Sequence, residues 1–377
     1  MATDLQEAEE GRDQKDIVWI KMSLDYPHAV TPGSPGKSFS AQNESGKRKF
    51  VRDYDSTVEH LRALLDQESQ TYSPCTDYLA LFEASPINST ERVSDSWRRK
   101  LCEWCYEVVD HFGFDREAVF FALNYLDRTV AARAQASEDP PSKRKFQLLA
   151  VTALYVALKL HGSTDTCEGP RRKLKVESFV QLSRGFFTVE NIEETEREML
   201  QTLGWGMQPP TSLRFITYYL RLLPIWSAEP YLRTHQQVIS SIFDVARYLA
   251  ELAVCSSDCS FESNSSLIAY VCVLSALEVM QHKIPTPHQA RVEFLNSLAD
   301  VTGLVPESME VKRYRLAVKE LCPSLFENQD LPPEFAFDAS AAALDAHADR
   351  VSPVSVMMDG NDTRRKRSRT ETCSGAR

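Results

Sequence analysis

One apolar stretch restricts the fold of this chain more than any other feature. Residues 146–160 read FQLLAVTALYVALKL, so a helix there would carry apolar side chains on nearly every side. Such a helix is stable in water only when other helices surround it. The stretch is interrupted by Gln147, Thr152 and Lys159 and is too short to cross a bilayer. We therefore predict the central helix of a bundle and no membrane partner.

Apolar residues recur at helical spacing before this stretch as well. Trp97, Leu101, Trp104 and Val108 form one stripe of a helix that we expect Gly113 to end. No alternating strand pattern competes with the helical pattern along the chain. The sequence therefore predicts an all-α fold.

Two adjacent prolines, Pro209 and Pro210, divide the helical pattern, because neither can lie inside a helix. We expect five helices on each side of this boundary, which predicts two similar bundles in tandem. The predicted organisation is a disordered region at residues 1–56, a first bundle at 57–208, a second bundle at 209–325 and a disordered tail at 326–377.

Composition favours protein partners over nucleic acid. The chain has 377 residues, a net charge of −10 and a pI near 5.4, which argues against nonspecific binding of nucleic acid. Several of its nine cysteines, Cys102 and Cys105 among them, fall between apolar residues, as reduced thiols inside a cell do. Their CxxC spacing has no second pair at zinc-site spacing, so we expect neither a metal nor a cofactor.

Four ionisable residues lie on helical faces that are otherwise apolar. They are Arg98, Asp127, Lys159 and Glu196. An unpaired charge in such a position costs several kcal/mol. We therefore expect these residues to have partners.

The sequence around these charges resembles the cyclin family, whose members bind and activate cyclin-dependent protein kinases. The matching blocks are WRRKLCEW at residues 97–104, FALNYLDR at 121–128, the stretch from 146 to 159, and TEREMLQTLGW at 195–205. With a second repeat, the resemblance covers residues 58–325. It implies two tandem five-helix cyclin-fold bundles, a PSTAIRE-type kinase as partner in a heterodimer, and no catalytic activity. The segment from residue 203 to 212 is most similar to D-type, G1-phase cyclins of plant or algal kind.

The resemblance also implies roles for the four charged residues. In cyclins, the residues that match Arg98 and Asp127 pair inside the first repeat and hold its opening helix in place. Lys159 matches the lysine that donates to backbone carbonyls of the kinase, and Glu196 matches its acidic partner. Without the family, the favoured interpretation of Lys159 is an ordinary lysine at a helix C-terminus, and the alternative for Glu196 is a surface glutamate.

A further set of residues corresponds to the patch by which many cyclins hold kinase substrates and inhibitors. The set is Trp97, Leu101, Trp104, Glu107 and Gln147. Plain core packing would explain the same residues. Arg99 and Lys100 depart from the family here, and their positive charge would repel a basic docking motif.

The chain also departs from the family after Lys159. Leu160, His161 and Gly162 stand where cyclins commonly have a hydrophobic residue and paired glutamates. We interpret His161 as a solvent-facing loop residue rather than a ligand.

The tail ends in a basic cluster that matches a nuclear import signal. Its basic residues are Arg364, Arg365, Lys366, Arg367 and Arg369. The resemblance favours import, and thus localisation to the nucleus, over a solvated run of charge. Ser-Pro dipeptides at Ser34, Ser73, Ser85 and Ser352 are candidate sites for proline-directed phosphorylation.

Two other classes of function fit the sequence less well. The sequence has no P-loop, kinase Gly-rich loop, His-Glu-x-x-His or nucleophile elbow, which argues against an enzyme. The stronger rival is a cyclin-fold transcription factor that contacts promoter DNA. Such factors carry a zinc ribbon and basic DNA-facing loops, whereas this chain has only a short basic segment at residues 171–175.

Overall fold

The computed structural model describes residues 46–83, 93–136, 139–162, 174–224, 231–281 and 287–327. All regular secondary structure within these ranges is α-helical, which confirms the predicted fold class. The helices are α1 (Gly46–Thr71), α2 (Tyr78–Glu83), α3 (Asp95–Phe112), α4 (Glu117–Gln135), α5 (Lys143–His161), α6 (Val176–Leu182), α7 (Val189–Thr202), α8 (Ser212–Arg221), α9 (Tyr231–Cys255), α10 (Ser257–Ser260), α11 (Ser265–Met280), α12 (His288–Thr302), α13 (Met309–Leu321) and α14 (Pro323–Glu327). None of the helices in the described ranges combines the length and the apolar character that a bilayer crossing requires.

Helices α3 to α7 form the first bundle, with α5 at its centre. The side chains of Phe146, Leu149, Val151 and Leu154 on α5 are fully buried. Their burial is expected from the apolar sequence of this helix, which packs mainly against α4 and α7. The C-terminal end of α5 reaches the surface and carries Lys159.

A short connection joins the end of α3 to the start of α4. Gly113 follows α3 with a φ of 68°, a left-handed conformation that glycine adopts without steric cost. The carboxylate of Asp115 then accepts a hydrogen bond of 2.8 Å from the backbone N–H of Glu117, the first residue of α4. This short connection brings Arg98 on α3 next to Asp127 on α4.

Helices α8, α9, α11, α12 and α13 form the second bundle around α11. Like α5, α11 buries side chains on all sides, among them Leu267, Tyr270, Val273 and Leu274. The predicted pair of five-helix bundles is therefore present. The short helices α10 and α14 were not expected, and α14 begins at Pro323, where helical periodicity in the sequence ends.

The N-terminal helix α1 packs on the second bundle. It begins at residue 46, ahead of Val58, where apolar periodicity predicts that folding begins. Leu61 is fully buried in the core of the second bundle. Glu68 accepts hydrogen bonds from the backbone N–H of Ser266, at 3.0 Å, and from its hydroxyl group. The helix that precedes the first bundle in the sequence therefore packs on the second bundle. The domain boundary at residue 57 stays a prediction.

Buried polar contacts also join the two bundles. Arg116, at the start of α4, donates to Glu251 on α9 and to Asp110 on α3, each at 2.7 Å. The sulfur atoms of Cys102 on α3 and Cys255 on α9 lie 2.9 Å apart as free thiols. Polar side chains at the start of α4 and on α3 and α9 therefore contact one another at the interface between the two bundles.

Candidate functional site

Lys159 and Glu196 form an ion pair at the surface of the first bundle. Lys159 Nζ, near the end of α5, donates to Glu196 Oε1 on α7 at 2.8 Å. The lysine side chain is 50% exposed and the glutamate side chain 14% exposed. The pair is therefore oriented by the protein and still open to a partner.

The surroundings of Lys159 favour its charged form. The hydrogen bond to Glu196 raises the pKa of Lys159, and this effect exceeds the opposing effect of partial burial. The ring of Tyr155, one helical turn earlier, lies 5.4 Å from the ammonium nitrogen and adds a cation–π contact. A fixed ammonium group of this kind can donate to further acceptors such as backbone carbonyls.

An open cavity of about 580 Å³ adjoins this pair. Among its lining residues are Leu160, which is 51% exposed, and Trp205, which is 72% exposed. Large apolar side chains exposed together at one place are typical of an interaction surface. The pair and the cavity together form what we call the α5–α7 surface: Lys159, Leu160, Glu196, Leu200 and Trp205.

Trp205 was not identified from the sequence as a site residue. It follows α7 with a φ of 62°, directly after Gly204 with a φ of 54°. Two successive left-handed residues turn the chain sharply, and this conformation is costly for a bulky side chain. The Gly-Trp dipeptide signals a turn, but the exposure of the ring could not be inferred from it.

The interpretation of His161 as a solvent-facing loop residue is wrong. His161 is the last residue of α5 and is half-buried, with its ring stacked on Phe121 at a centroid distance of 3.8 Å. Its Nε2 lies 2.8 Å from the hydroxyl of Tyr125 and 3.0 Å from the carbonyl of Met207. Burial lowers the pKa of His161. The aromatic residues of α4 that receive the ring are distant in sequence, so the local pattern does not reveal the contact.

Arg98 and Asp127 are brought together inside the protein. Arg98 is fully buried and binds Asp127 through two hydrogen bonds, Nε to Oδ1 at 3.0 Å and NH2 to Oδ2 at 2.7 Å. Its third nitrogen, NH1, donates to the carbonyl of Val254 on α9 at 3.0 Å. Tyr78 on α2 donates to Asp127 Oδ1 at 2.8 Å. The contacts to Val254 and Tyr78 were not expected from the sequence.

The charge of Arg98 is compensated where it lies. Burial opposes the charged form, but the attraction and hydrogen bonds of Asp127 outweigh it and raise the pKa of Arg98. The ring of Phe261, between α10 and α11, lies 5.2 Å from the guanidinium carbon. Because all these partners are internal, the geometry gives this pair a structural role rather than a contact with another molecule.

The residues of the expected docking patch are mostly internal. Relative exposure is 7% for Trp97, 1% for Leu101 and 2% each for Trp104 and Gln147, whereas Glu107 is partly exposed. The ammonium group of Lys143 lies 5.0 Å from the ring centre of Trp97. Core packing accounts for the four buried side chains, and a docking role stays a prediction.

Charges of both signs lie along the outer face of α3 beside this patch. Arg99 binds Asp95 at 2.8 Å, and Lys100 follows it, partly exposed. Glu103 and Glu107 come next, and burial raises the pKa of each carboxyl group. The added positive charge expected from the sequence is therefore present at one end of the patch, with acids at the other end.

Several expected features lie outside the described residues, among them the Ser-Pro sites at Ser34, Ser85 and Ser352. The basic cluster of the C-terminal tail lies outside them, as do residues 171–173 of the basic segment. In the described part of the chain, no group of three His, Cys, Asp or Glu side chains could hold a metal ion.

Comparisons with known proteins point to one family. Residues 62–208 match the family model of the cyclin N-terminal domain. The G2/mitotic-specific cyclin cig2 of Schizosaccharomyces pombe is 24% identical over 341 residues, covering 80% of each protein. Human G1/S-specific cyclin-D1 is 23% identical over 284 residues, covering 75% of this chain and 83% of that protein. An X-ray structure of a viral cyclin from herpesvirus saimiri matches with a TM-score of 0.48 and 16% identity, covering 69% of this chain and 96% of the viral chain.

A mitotic cyclin and a G1/S cyclin match this chain at nearly equal identity, 24% and 23%. The D-type subclass therefore stays a prediction. The match at residues 62–208 spans α3 to α7, which hold both the buried pair and the α5–α7 surface. Residues 62–208 thus match the cyclin N-terminal domain, and the chain is similar to cyclins over most of its length.

Proposed function

We propose that this chain is a cyclin of the D type, the regulatory subunit of a PSTAIRE-type cyclin-dependent kinase. It binds the kinase as a heterodimer and activates it in G1 or at the G1/S transition. The observation that carries the proposal is the ion pair of Lys159 and Glu196 beside an open cavity with exposed apolar residues. Both residues match family positions that contact the kinase, and the similarity to cyclins supports the assignment.

The chemistry of the α5–α7 surface suits a backbone partner. An ammonium group has three N–H donors, and Glu196 accepts only one of those of Lys159. The remaining donors can bind backbone carbonyls at the end of a kinase helix, while Glu196 accepts from backbone amides. Each such charge-assisted hydrogen bond contributes about 1.5–3 kcal/mol. Trp205 and Leu160 would pack against the apolar face of the same helix.

Activation follows from the preference for one kinase conformation. A lone kinase of this class keeps its regulatory helix turned away, so the Lys-Glu ion pair that positions ATP is not formed. Moving the kinase from 1:99 to 99:1 active requires a preference of about 5.5 kcal/mol for the active state. An interface of roughly 2,000 Å² can supply it. The chain therefore acts by binding alone and performs no chemistry of its own.

Two further parts of the proposal concern substrates and location. Kinase substrates and inhibitors would dock beside Trp97 only if their motifs tolerate the positive charges of Arg99 and Lys100. The cluster at residues 364–369 would direct the chain to the nucleus.

Reconstitution with a kinase tests the proposal. The purified chain is mixed with an inactive PSTAIRE-type kinase, and phosphoryl transfer to a peptide is measured as the chain is titrated. We expect a one-to-one complex and activity that rises with complex formation. Failure to bind any kinase of this class, together with DNA binding that weakens steeply with salt, would favour the promoter-binding alternative instead.

A further inference from the structure

A second cavity lies between the bundles. Its volume is about 100 Å³, room for several water molecules or one phosphoryl group. Its walls come from the connection between α1 and α2, from α4, and from the loop that leads into α11. Ser73, Asn124 and Arg128 are among the residues that line it.

Arg128 is the unusual residue of this cavity. Its NH1 donates to the carbonyl of Gly206 at 2.9 Å and to Asn124 Oδ1 at 3.3 Å, and its guanidinium carbon lies 5.0 Å from the ring centre of Tyr72. Among the described residues, no carboxylate lies within ion-pair distance of it. Burial lowers the pKa of Arg128, which is the sign of a cation without a compensating anion.

The two acidic residues that line the cavity, Asp127 and Glu68, already have hydrogen-bond donors. Asp127 is held by Arg98 through two hydrogen bonds, and Glu68 accepts from Ser266. The cavity therefore has one guanidinium group that an additional anion would neutralise. A phosphoryl group suits a guanidinium, because its oxygens accept two parallel hydrogen bonds.

Ser73 lies where it could carry that anion. It is exposed in the connection between α1 and α2, and its hydroxyl has no hydrogen-bond partner among the described residues. The ring of the residue before it, Tyr72, lies 5.0 Å from the guanidinium carbon of Arg128, and Ser73 and Arg128 line the same cavity. Pro74 follows directly, so Ser73 has the Ser-Pro sequence that proline-directed kinases recognise.

We propose that Ser73 is a phosphorylation site whose phosphoryl group binds the guanidinium of Arg128 in this cavity. A proline-directed kinase would transfer the γ-phosphoryl group of ATP to Ser73 Oγ. The bond between the β–γ bridging oxygen and the γ-phosphorus breaks, ADP leaves, and the hydroxyl proton passes to the base of the kinase. The new ion pair would fasten the α1–α2 connection to α4.

The site is tested first by mapping phosphate. The full chain, with Ser34, Ser85 and Ser352 changed to Ala, is incubated with a proline-directed kinase and Mg-ATP, and phosphopeptides are identified by mass spectrometry. We expect phosphate on Ser73 that disappears in a variant carrying Ser73→Ala as well. If the wild-type chain is phosphorylated at the other Ser-Pro sites while Ser73 is not phosphorylated, the proposal is wrong.

The contact with Arg128 is tested on the phosphorylated protein. In a phosphorus NMR titration we expect the second pKa of the phosphoserine to lie below its ordinary value of about 6, because a guanidinium favours the dianion. A value at or above about 6 would overturn the proposed contact. This measurement needs no arginine variant, so it does not depend on how such a variant folds.

Thermal unfolding gives a second measure of the same contact. Phosphorylation should raise the Tm by about 2 °C or more, and Arg128→Gln should remove that rise while Arg128→Lys keeps part of it. An equal rise in the Arg128→Gln variant would contradict the assignment.

Free phosphate is the other possible source of the anion. Added inorganic phosphate should raise the Tm of the unphosphorylated protein less than phosphorylation does, and should have no further effect once Ser73 is phosphorylated. If inorganic phosphate stabilises both forms equally, the cavity serves a free anion and phosphoserine is not its occupant.

Discussion

Arg98, on the first helix of the first bundle, donates a hydrogen bond of 3.0 Å to the carbonyl of Val254, near the end of α9 in the second bundle. The same guanidinium holds Asp127 through its other two nitrogens. One fully buried side chain therefore connects α3, α4 and α9. The pair expected to fasten a single helix also fastens the two bundles to each other.

We predict that Arg98→Ala leaves the protein misfolded or aggregated. The substitution leaves Asp127 buried without its counter-charge, which costs about 3–5 kcal/mol, a large part of the stability of an ordinary domain. Solubility and cooperative thermal unfolding would be measured. Arg99→Ala is the matched control on the same helix, because its ion pair with Asp95 is partly exposed to solvent and contributes at most about 1 kcal/mol. A soluble Arg98→Ala protein with a cooperative transition near that of the control would contradict this role.

The contact between Glu68 and Ser266 gives a second prediction. Glu68 is 4% exposed, and burial raises the pKa of its carboxyl group despite the hydrogen bonds from Ser266. Glu68→Gln keeps an acceptor and removes the cost of a buried charge, so its free energy of unfolding should stay close to that of the wild type. Glu68→Ala leaves the buried start of α11 without its acceptor and should lose about 1–3 kcal/mol.

Denaturant unfolding of the two Glu68 variants measures the difference. Equal losses for Gln and Ala would mean that the packing of the side chain, rather than the hydrogen bonds to Ser266, anchors α1 on the second bundle.

The described helices follow from the sequence to different degrees. Helix α5 was predictable because its apolar residues leave no polar face, and α3 because glycine follows its last turn. The extent of α1 was not, because its first turns are polar and its apolar stripe becomes clear only near Val58. Short helices such as α10 lack enough residues for a period to be recognised.

The candidate site divides in the same way. The sequence shows four charges on apolar faces, at Arg98, Asp127, Lys159 and Glu196. The expected roles of Lys159 and Glu196 came from the family resemblance. Trp205 could not be recognised in this way, because the exposure of a tryptophan becomes known only once the fold shows how little the described residues cover its ring. The contact with Val254 could not be predicted either, because its acceptor is a backbone carbonyl, which every residue has.

His161 gives the chain a pH dependence of known sign. Burial lowers its pKa below the ordinary value near 6.5, so the unfolded chain takes up the proton more readily than the folded protein. Its contribution to stability is complete above pH 6.5 or so and is lost as the pH falls through that value towards the lower folded pKa. Replacement by glutamine removes this titration.

Thermal unfolding between about pH 7.5 and 5.5 measures the effect. We expect the Tm of the wild type to fall more over this range than the Tm of His161→Gln. Parallel curves for the two proteins would show that the folded and unfolded chains bind the proton of His161 equally well.

A substitution of Trp205 should affect kinase binding without affecting folding. Its ring is 72% exposed, so it contributes little to the core, and its φ of 62° suits asparagine better than a bulky residue. We predict that Trp205→Asn keeps or slightly raises the Tm and weakens kinase binding about tenfold or more, as expected for a buried aromatic anchor in an interface. Calorimetric titration with the kinase measures the affinity. Unchanged affinity would remove Trp205 from the α5–α7 surface.

The affinity of the Lys159→Ala, Glu196→Ala double variant for a PSTAIRE-type kinase tests the central claim most directly. The ion pair is half exposed on the lysine side, so its loss should leave the Tm nearly unchanged. Lys145→Ala with Glu194→Ala is the matched control, since it removes one exposed charge of each sign from the same two helices. We predict a loss of affinity of about 100-fold or more in the double variant and almost none in the control. Binding by the double variant that equals the control would contradict the assignment of Lys159 and Glu196 as the kinase contact.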